Sequence, residues 1–159
     1  MSRIAILLPL FALTACPPSE DDTGTGLTGT LPAPDDWSTC RTDDGFDFSI
    51  TRAETTTGVD PVRVEGNTLL VDVGYGGGCA THEWAICWPD QSFAESEPVQ
   101  AFLEVWHGGE PDYCDAYLWE TLEFDLTPLH DSWQSMYGAD GGTILINLGG
   151  YQVEYSFDG

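Results

Sequence analysis

Cys79 and His82 form a C-x2-H spacing, and His107 and Cys114 follow with Asp112 between them. Two thiols and two imidazoles are the donor set of a tetrahedral zinc site, which takes thiolate sulfur and neutral ring nitrogen. The first half has a chelating spacing, whereas His107-x6-Cys114 must span a turn. An oxidising compartment would join the two thiols as a disulfide instead. His82, His107 and Asp112 could then hold a metal through nitrogen and oxygen alone. The run Asp43-Asp44-Gly45-Phe46-Asp47 bunches three carboxylates around a glycine, as calcium loops do, but lacks the EF-hand order and suits a solvated turn. His130 is expected to be a hydrogen-bonded structural residue. The chain contains no G-x-S-x-G, H-E-x-x-H or Walker sequence, and Tyr75-Gly76-Gly77-Gly78 is followed by Cys79 with no lysine to meet a phosphate. A non-enzyme without a resident cofactor is expected. Zinc and calcium are the ions these residues leave open, and an enzyme of unrecognised type is the remaining alternative.

A second group is a face and not a motif. If residues 99–106 and 113–120 pair as a hairpin across His107-Gly108-Gly109-Glu110-Pro111-Asp112, then Val99, Ala101, Leu103 and Val105 share one face with Cys114, Ala116 and Leu118. The other face collects Phe102, Trp106, Tyr113, Tyr117 and Trp119, interleaved with Glu104 and Asp115. Aromatic rings beside carboxylates suit the stacking of a sugar or the holding of a cation over a ring. The competing expectation is that a loop, a helix or a second sheet covers this face.

The elements that must position these residues read as strand after strand. Phe46, Phe48 and Ile50 alternate with polar residues, Leu69, Val71 and Val73 do so except at Leu70, and Trp84, Ile86 and Trp88 alternate with Glu83, Ala85 and Cys87. Leu118, Leu122, Phe124 and Leu126 follow. Near the C-terminus, Ile144, Ile146 and Leu148 lead through Gly149-Gly150 to Tyr151, Val153 and Tyr155. A two-glycine turn, both of whose positions can need positive φ, pairs Leu148 with Tyr151, Ile146 with Val153 and Ile144 with Tyr155. One short helix is expected near 128–137, with Thr127 as cap, Pro128 at its first position and Gly138 at its end. The fold class is all-β: an antiparallel β-sandwich of immunoglobulin-like size, with a small β-barrel as the alternative.

Residues 1–15 have the grammar of an export signal: Arg3, an apolar run over residues 4–13, and a small-residue close before Cys16. The apolar run of about ten residues is too short to span a bilayer as a permanent helix. Leu13-Thr14-Ala15-Cys16 resembles the lipobox of bacterial lipoproteins, and the resemblance implies that Cys16 is acylated and becomes the first residue. Ordinary cleavage after Ala15 is the alternative. Residues 16–36 are rich in Pro, Thr, Gly and Asp with few large apolar side chains, so they read as a disordered acidic linker reaching ~25 Å as a coil. The sandwich domain is assigned to residues 37–159.

Four arginines, no lysine and 27 acids give a formal net charge of −23. Nucleic acid is excluded as a partner, because neutralising phosphates needs clustered Lys and Arg. An electrostatic grip on anionic lipid is excluded for the same reason. Attachment to a membrane would rest on the acyl chains alone. Cys40, Cys79, Cys87 and Cys114 remain after Cys16, an even number that reads as two disulfides in an exported chain. Three pairings are open. A straight strand would hold Cys79 and Cys87 about 26 Å apart, so they could meet only if the chain turns between them; the pairs favoured are Cys79–Cys114 and Cys40–Cys87.

The segments Gly76-Gly77-Gly78-Cys79-Ala80-Thr81-His82, Pro98-Val99-Gln100, Asp112-Tyr113-Cys114 and Phe124-Asp125-Leu126-Thr127-Pro128-Leu129 resemble a layout found in uncharacterised bacterial lipoproteins. The layout is also similar to the C-terminal β-sandwich of NigD-like lipoproteins, which carry an N-terminal small barrel where this chain has a linker. The resemblance implies a β-sandwich displayed on the bacterial cell envelope. Pro17 stands where an aspartate would be a retention signal, which by analogy implies the outer membrane. The function expected is a membrane-anchored extracytoplasmic lipoprotein whose sandwich binds, adheres or serves the envelope structurally. Its partners would be the membrane, through the lipid, and a glycan, peptidoglycan or a protein. A metal-binding module built on His82, His107 and nearby Cys or Asp is the alternative.

Overall fold

The computed structural model describes residues 45–52 and 58–158. The expected signal, the expected linker, Cys16 as the expected acylation site, Cys40 and the first two acids of the 43–47 turn lie outside the described residues. Eight strands and one helix follow in the order β1 (Phe48–Ile50), β2 (Val62–Glu65), β3 (Thr68–Gly77), β4 (His82–Cys87), β5 (Val99–Gly109), β6 (Ala116–Asp125), α1 (Thr127–Tyr137), β7 (Gly142–Leu148) and β8 (Tyr151–Phe157). They make two four-stranded sheets. In the first, β6 lies along one edge of β3 for its full length, and β1 and β2 share the other edge. In the second the order is β4-β5-β7-β8. The fold is an all-β sandwich, and its sheets do not close into a barrel. The β5–β7 pair is parallel, a departure from the purely antiparallel expectation.

Period-two patterning makes the core. Leu69, Val71 and Val73 of β3 and Ile144 and Ile146 of β7 are all fully buried, because alternate residues of a strand point to one face. The last hairpin has the register that the turn chemistry dictates: Leu148 opposite Tyr151, Ile146 opposite Val153 and Ile144 opposite Tyr155. Gly149 and Gly150 both have positive φ, 56° and 87°. Asp72 is the exception among the buried residues of β3, with 5% exposure on the side of the sheet away from the core. It is paired on every side: Arg63 Nη1 donates to it at 3.0 Å, Arg52 forms an ion pair with it, and the Thr121 hydroxyl donates to it at 2.7 Å. Removing a charge from water is tolerated where partners replace the water.

Two local expectations are corrected. Thr127 is not the helix cap: Leu126 occupies that position, and Asp125 Oδ1 instead accepts from the Thr127 N–H at 3.0 Å and from its hydroxyl at 2.7 Å. The helix does end at Gly138, whose φ is 64° and whose N–H reaches the Gln134 carbonyl at 2.9 Å. The larger correction concerns β5 and β6, which do not pair. The Gly108-Gly109 pair is not a turn but the end of β5, where His82 and Glu83 of β4 lie opposite Gly109 and Gly108. With β4 on one edge and β7 on the other, β5 has no edge left for β6, and the chain crosses at residues 110–115 to the opposite sheet.

Ile146 sits at the centre of the buried pattern, so Ile146→Ala is expected to cost about 2–5 kcal/mol. Urea unfolding should show the midpoint fall with the slope unchanged.

Candidate functional site

The crossover from β5 to β6 brings Asp112 against the turn between β3 and β4. One carboxylate oxygen, Oδ2, accepts from the backbone N–H groups of Gly78 at 2.7 Å, Cys79 at 2.9 Å and Ala80 at 2.9 Å. The other, Oδ1, accepts from the Cys114 N–H at 2.9 Å. Successive N–H groups curled round one oxygen form an anion nest. Gly77 and Gly78 make the curl possible, with φ of 144° and 120°. A side chain at Gly77 has no room, since its Cβ would lie 2.7 Å from His82 Nε2 and 2.8 Å from Asp112 Oδ2. The Cys79–Cys114 disulfide joins the same two segments with a Cα–Cα distance of 5.9 Å, as the cysteine arithmetic expected. Cys40, expected to pair with Cys87, lies outside the described residues.

Behind the nest runs a line of rings. His82 Nε2 stands 3.3 Å from Asp112 Oδ2, and His82 Nδ1 stands 2.8 Å from His107 Nε2. His107 is 1% exposed and stacks on Trp84 with ring centroids 3.9 Å apart and planes 8° from parallel. Tyr75 closes the group, 4.6 Å from His82 and 5.0 Å from His107, while Phe46 and Phe48 meet His107 edge-on. The Tyr75 hydroxyl donates to Glu120 Oε2 at 3.1 Å. Burial first, and the Glu120 carboxylate second, push the Tyr75 phenol up to about 12.

The proton positions follow from the partners. Asp112 is held far below the usual carboxylate range by the N–H groups of Ala80, Cys114 and Cys79, so it only accepts. His82 Nε2 therefore carries the proton that faces it. In a neutral pair, His107 Nε2–H donates to His82 Nδ1, which leaves His107 Nδ1 bare. That nitrogen is buried and has no hydrogen-bond partner among the described residues. Burial first, then the proximity of His82, bring His107 down to about 4, with the carbonyl groups of Asp47 and Phe46 pulling less strongly the other way.

The sequence-derived residues thus divide into several places. Cys79, Cys114, His82, His107 and Asp112 do come together, but as a disulfide, an anion nest and a hydrogen-bonded relay. The two imidazoles face each other at hydrogen-bonding distance, and the second nitrogen of His82 faces Asp112. His130 behaves as expected, lying 3.5 Å from Asp131 Oδ1 and packing its ring against Phe157. The aromatic face is divided between the sheets. Phe102, Glu104 and Trp106 lie on the outside of β5, and the Trp106 ring is packed over Gly108. Tyr117 and Trp119 lie on the outside of β6, in the other sheet, about half exposed at 49% and 51%. Tyr113 and Asp115 are exposed on the crossover, Tyr113 at 92%.

Three residues of the site escaped sequence reasoning. Trp84 reads as ordinary core, and Tyr75 and Gly77 as parts of a glycine-rich run with no use. The available signal was the absence of lysine beside that run: its N–H groups do meet an anion, and the anion is the chain's own Asp112. No protein-family model and no curated protein matches the chain. A crystal structure from Parabacteroides distasonis ATCC 8503, of a protein with a toxin-related designation, is similar at 20% identity and a TM-score of 0.38. The match covers 69% of this chain and 59% of that one, so the chain spans less than two thirds of that protein's length. A likeness of this degree carries no argument about activity.

The relay has a consequence for acid stability. His107 titrates near 6.5 when unfolded and near 4 when folded, so between these values the unfolded chain holds more protons. Unfolding free energy therefore falls as pH drops from about 6.5 to about 4, by roughly 3 kcal/mol in total. The depressed Asp112 carboxyl acts in the same direction at lower pH, because its stabilisation is present above the ordinary carboxylate range and lost below it. His107→Phe keeps a ring on Trp84 and removes the titration. Urea unfolding at about pH 7, 5.5 and 4.5 should show a markedly smaller loss in the variant than in the parent.

Proposed function

We propose that the protein is a lipid-anchored binding module of the bacterial cell envelope and acts without catalysis. Its N-terminal sequence supports the anchor: an apolar signal ending in Leu13-Thr14-Ala15-Cys16, followed by an acidic linker. Several acyl chains hold a protein to a bilayer where a single one would be marginal. Among the described residues no helix is long and apolar enough to cross a membrane. The polar cluster around Asp112 faces inward and holds loops together. The observation that carries the binding role is the Tyr117–Trp119 pair, two large aromatic side chains left half exposed on the outer face of a braced sheet. Exposed aromatic side chains that neighbour one another mark sites of contact with other molecules. The second bridge, Cys40–Cys87, belongs to the same proposal, as does the outer membrane as destination.

Three measurements check the reading. Fatty-acid labelling should mark the wild-type chain and not Cys16→Ala, and fractionation should move that variant out of the membrane pellet. Detergent-solubilised protein should co-sediment with isolated envelope material, and a protein that sediments with none of it would remove the binding role. Thiol titration of the denatured, unreduced protein is expected to find no free thiol. Free thiols together with stoichiometric zinc, in protein purified without chelators, would favour the metal-binding module instead.

A further inference from the structure

We infer that the corner formed by Tyr117 and Trp119 over β3 binds the pyranose ring of a glycan lacking acidic groups. The inference rests on the binding role proposed above and names its ligand class. Across the outer face, Tyr117 lies opposite Gly76 and Trp119 opposite Gly74, and Ser49 of β1 lies on the far side of Gly74. Glycine inside a central strand weakens it and marks a place where something approaches the backbone closely. At Gly74 that something is Tyr117, because a Cβ there would lie 2.5 Å from its hydroxyl oxygen and 2.8 Å from its ring. The Tyr117 ring is thus laid across β3. Trp119 meets it at 71° with centroids 5.0 Å apart, so one ring makes a floor and the other a wall.

At Gly76, beside Tyr117, the second glycine has a different consequence. Gly76 is exposed and a Cβ added there would meet nothing within 4 Å, so a strip of bare backbone lies open next to the rings. Its φ is not in the left-handed region, and local backbone geometry therefore does not require glycine. An aromatic corner beside an open strip suits a saturated ring, whose C–H face lies on an aromatic ring while its hydroxyls reach polar neighbours at the edge. Those neighbours are the exposed Ser49 hydroxyl and, two pairs along from Trp119, the Thr121 hydroxyl, which donates to Asp72 and keeps its oxygen free to accept. The charge excludes acidic glycans. Both described arginines of this sheet are turned to Asp72, and the whole chain carries a formal net charge of −23. A polyanion would meet repulsion and, among the described residues, no arginine that is not already turned to a carboxylate.

The test is affinity electrophoresis of the native lipoprotein in detergent, with a β-1,4-glucan, an α-mannan, an N-acetylglucosamine oligomer and polygalacturonate as the probes. Retardation by at least one of the first three and none by polygalacturonate is expected. Trp119→Ala and Tyr117→Ala should each weaken that retardation at least tenfold. Gly76→Val keeps both rings and fills the open strip, so it should abolish binding while circular dichroism and the urea midpoint stay at or above the parent's. Phe102→Ala, on the other sheet, should bind as the parent does. Equal retardation of Gly76→Val and parent would overturn the inference, as would binding of polygalacturonate. Self-association abolished by Trp119→Ala would assign the corner to a second copy of the chain and overturn it too. Failure with all the glycans, alongside retained co-sedimentation with envelope material, would remove the ligand class and leave the binding role standing. Failure of both would remove both.

Discussion

The Asp112 carboxylate accepts N–H groups from Gly78, Cys79 and Ala80 on one oxygen and from Cys114 on the other. It thereby joins the crossover between the two sheets to the turn that leads from one sheet to the other. The constraint is electrostatic before it is steric. Hydrogen bonds to an ionised acceptor are about twice as strong as neutral ones, and here four converge on one group that is itself almost buried. The disulfide joins the same segments by a covalent route and shortens the unfolded chain's reach. The carboxylate fixes something the disulfide does not, which is the proton on His82, and through it the direction of the hydrogen bond to His107.

That coupling explains why polar rings are found in the middle of an apolar sandwich. His107 takes a core position on β5, in line with Val99, Ala101 and Leu103 on the inward face. Burying an imidazole is costly unless its nitrogens are satisfied. One nitrogen is satisfied by His82, the ring faces are covered by Trp84, and the remaining nitrogen is bare in the neutral state. An unprotonated acceptor without a partner is less demanding than a cation in the same place. The cluster is therefore stable at neutral pH as a chain running from His107 to Asp112. Its position matters for the rest of the domain, because Phe46 and Phe48 of the N-terminal segment pack on His107 and the Phe46 N–H bonds its carbonyl at 2.7 Å. The segment by which the linker would enter the sandwich is thus docked on the same group.

Much of the fold is legible in the sequence wherever one local rule is enough. The β7–β8 hairpin follows from Gly149-Gly150 and three facing apolar pairs, and α1 follows from Pro128, Gly138 and one apolar stripe. β2 was not expected, although Val62 and Val64 alternate with Arg63 and Glu65 before Gly66-Asn67, because four residues carry little periodic signal. The β5–β6 error had a different origin. Period-two patterning gives the face of each residue along a strand but not the sheet to which the strand belongs, and Gly108-Gly109 has the composition of a turn while serving as strand. Pairing with β4 decides the matter, and that contact depends on His107 and Trp84 stacking across the pair. The disulfide and the meeting of His82, His107 and Asp112 were legible as donor types. Their arrangement as a relay was not, because it depends on which backbone N–H groups reach Asp112.

The same distinction separates the inside of this protein from its outside. Inside, His82, His107 and Asp112 are matched to one another closely enough that their chemistry is used in holding the fold. The outward face of β3 and β6 is different: two glycines stand where β-branched residues would strengthen a central strand, and two large aromatics stand opposite them. Stability alone gives no reason for this choice at Gly76, where a side chain would meet open space and the backbone does not need glycine. At Gly74 the reason is the Tyr117 ring, which itself remains half exposed. Gly76, which lies beside the exposed rings, is the position that the proposed ligand would explain. Because the chain has so few cations, that proposed ligand would be recognised by shape and hydrogen bonding and not by its negative charge.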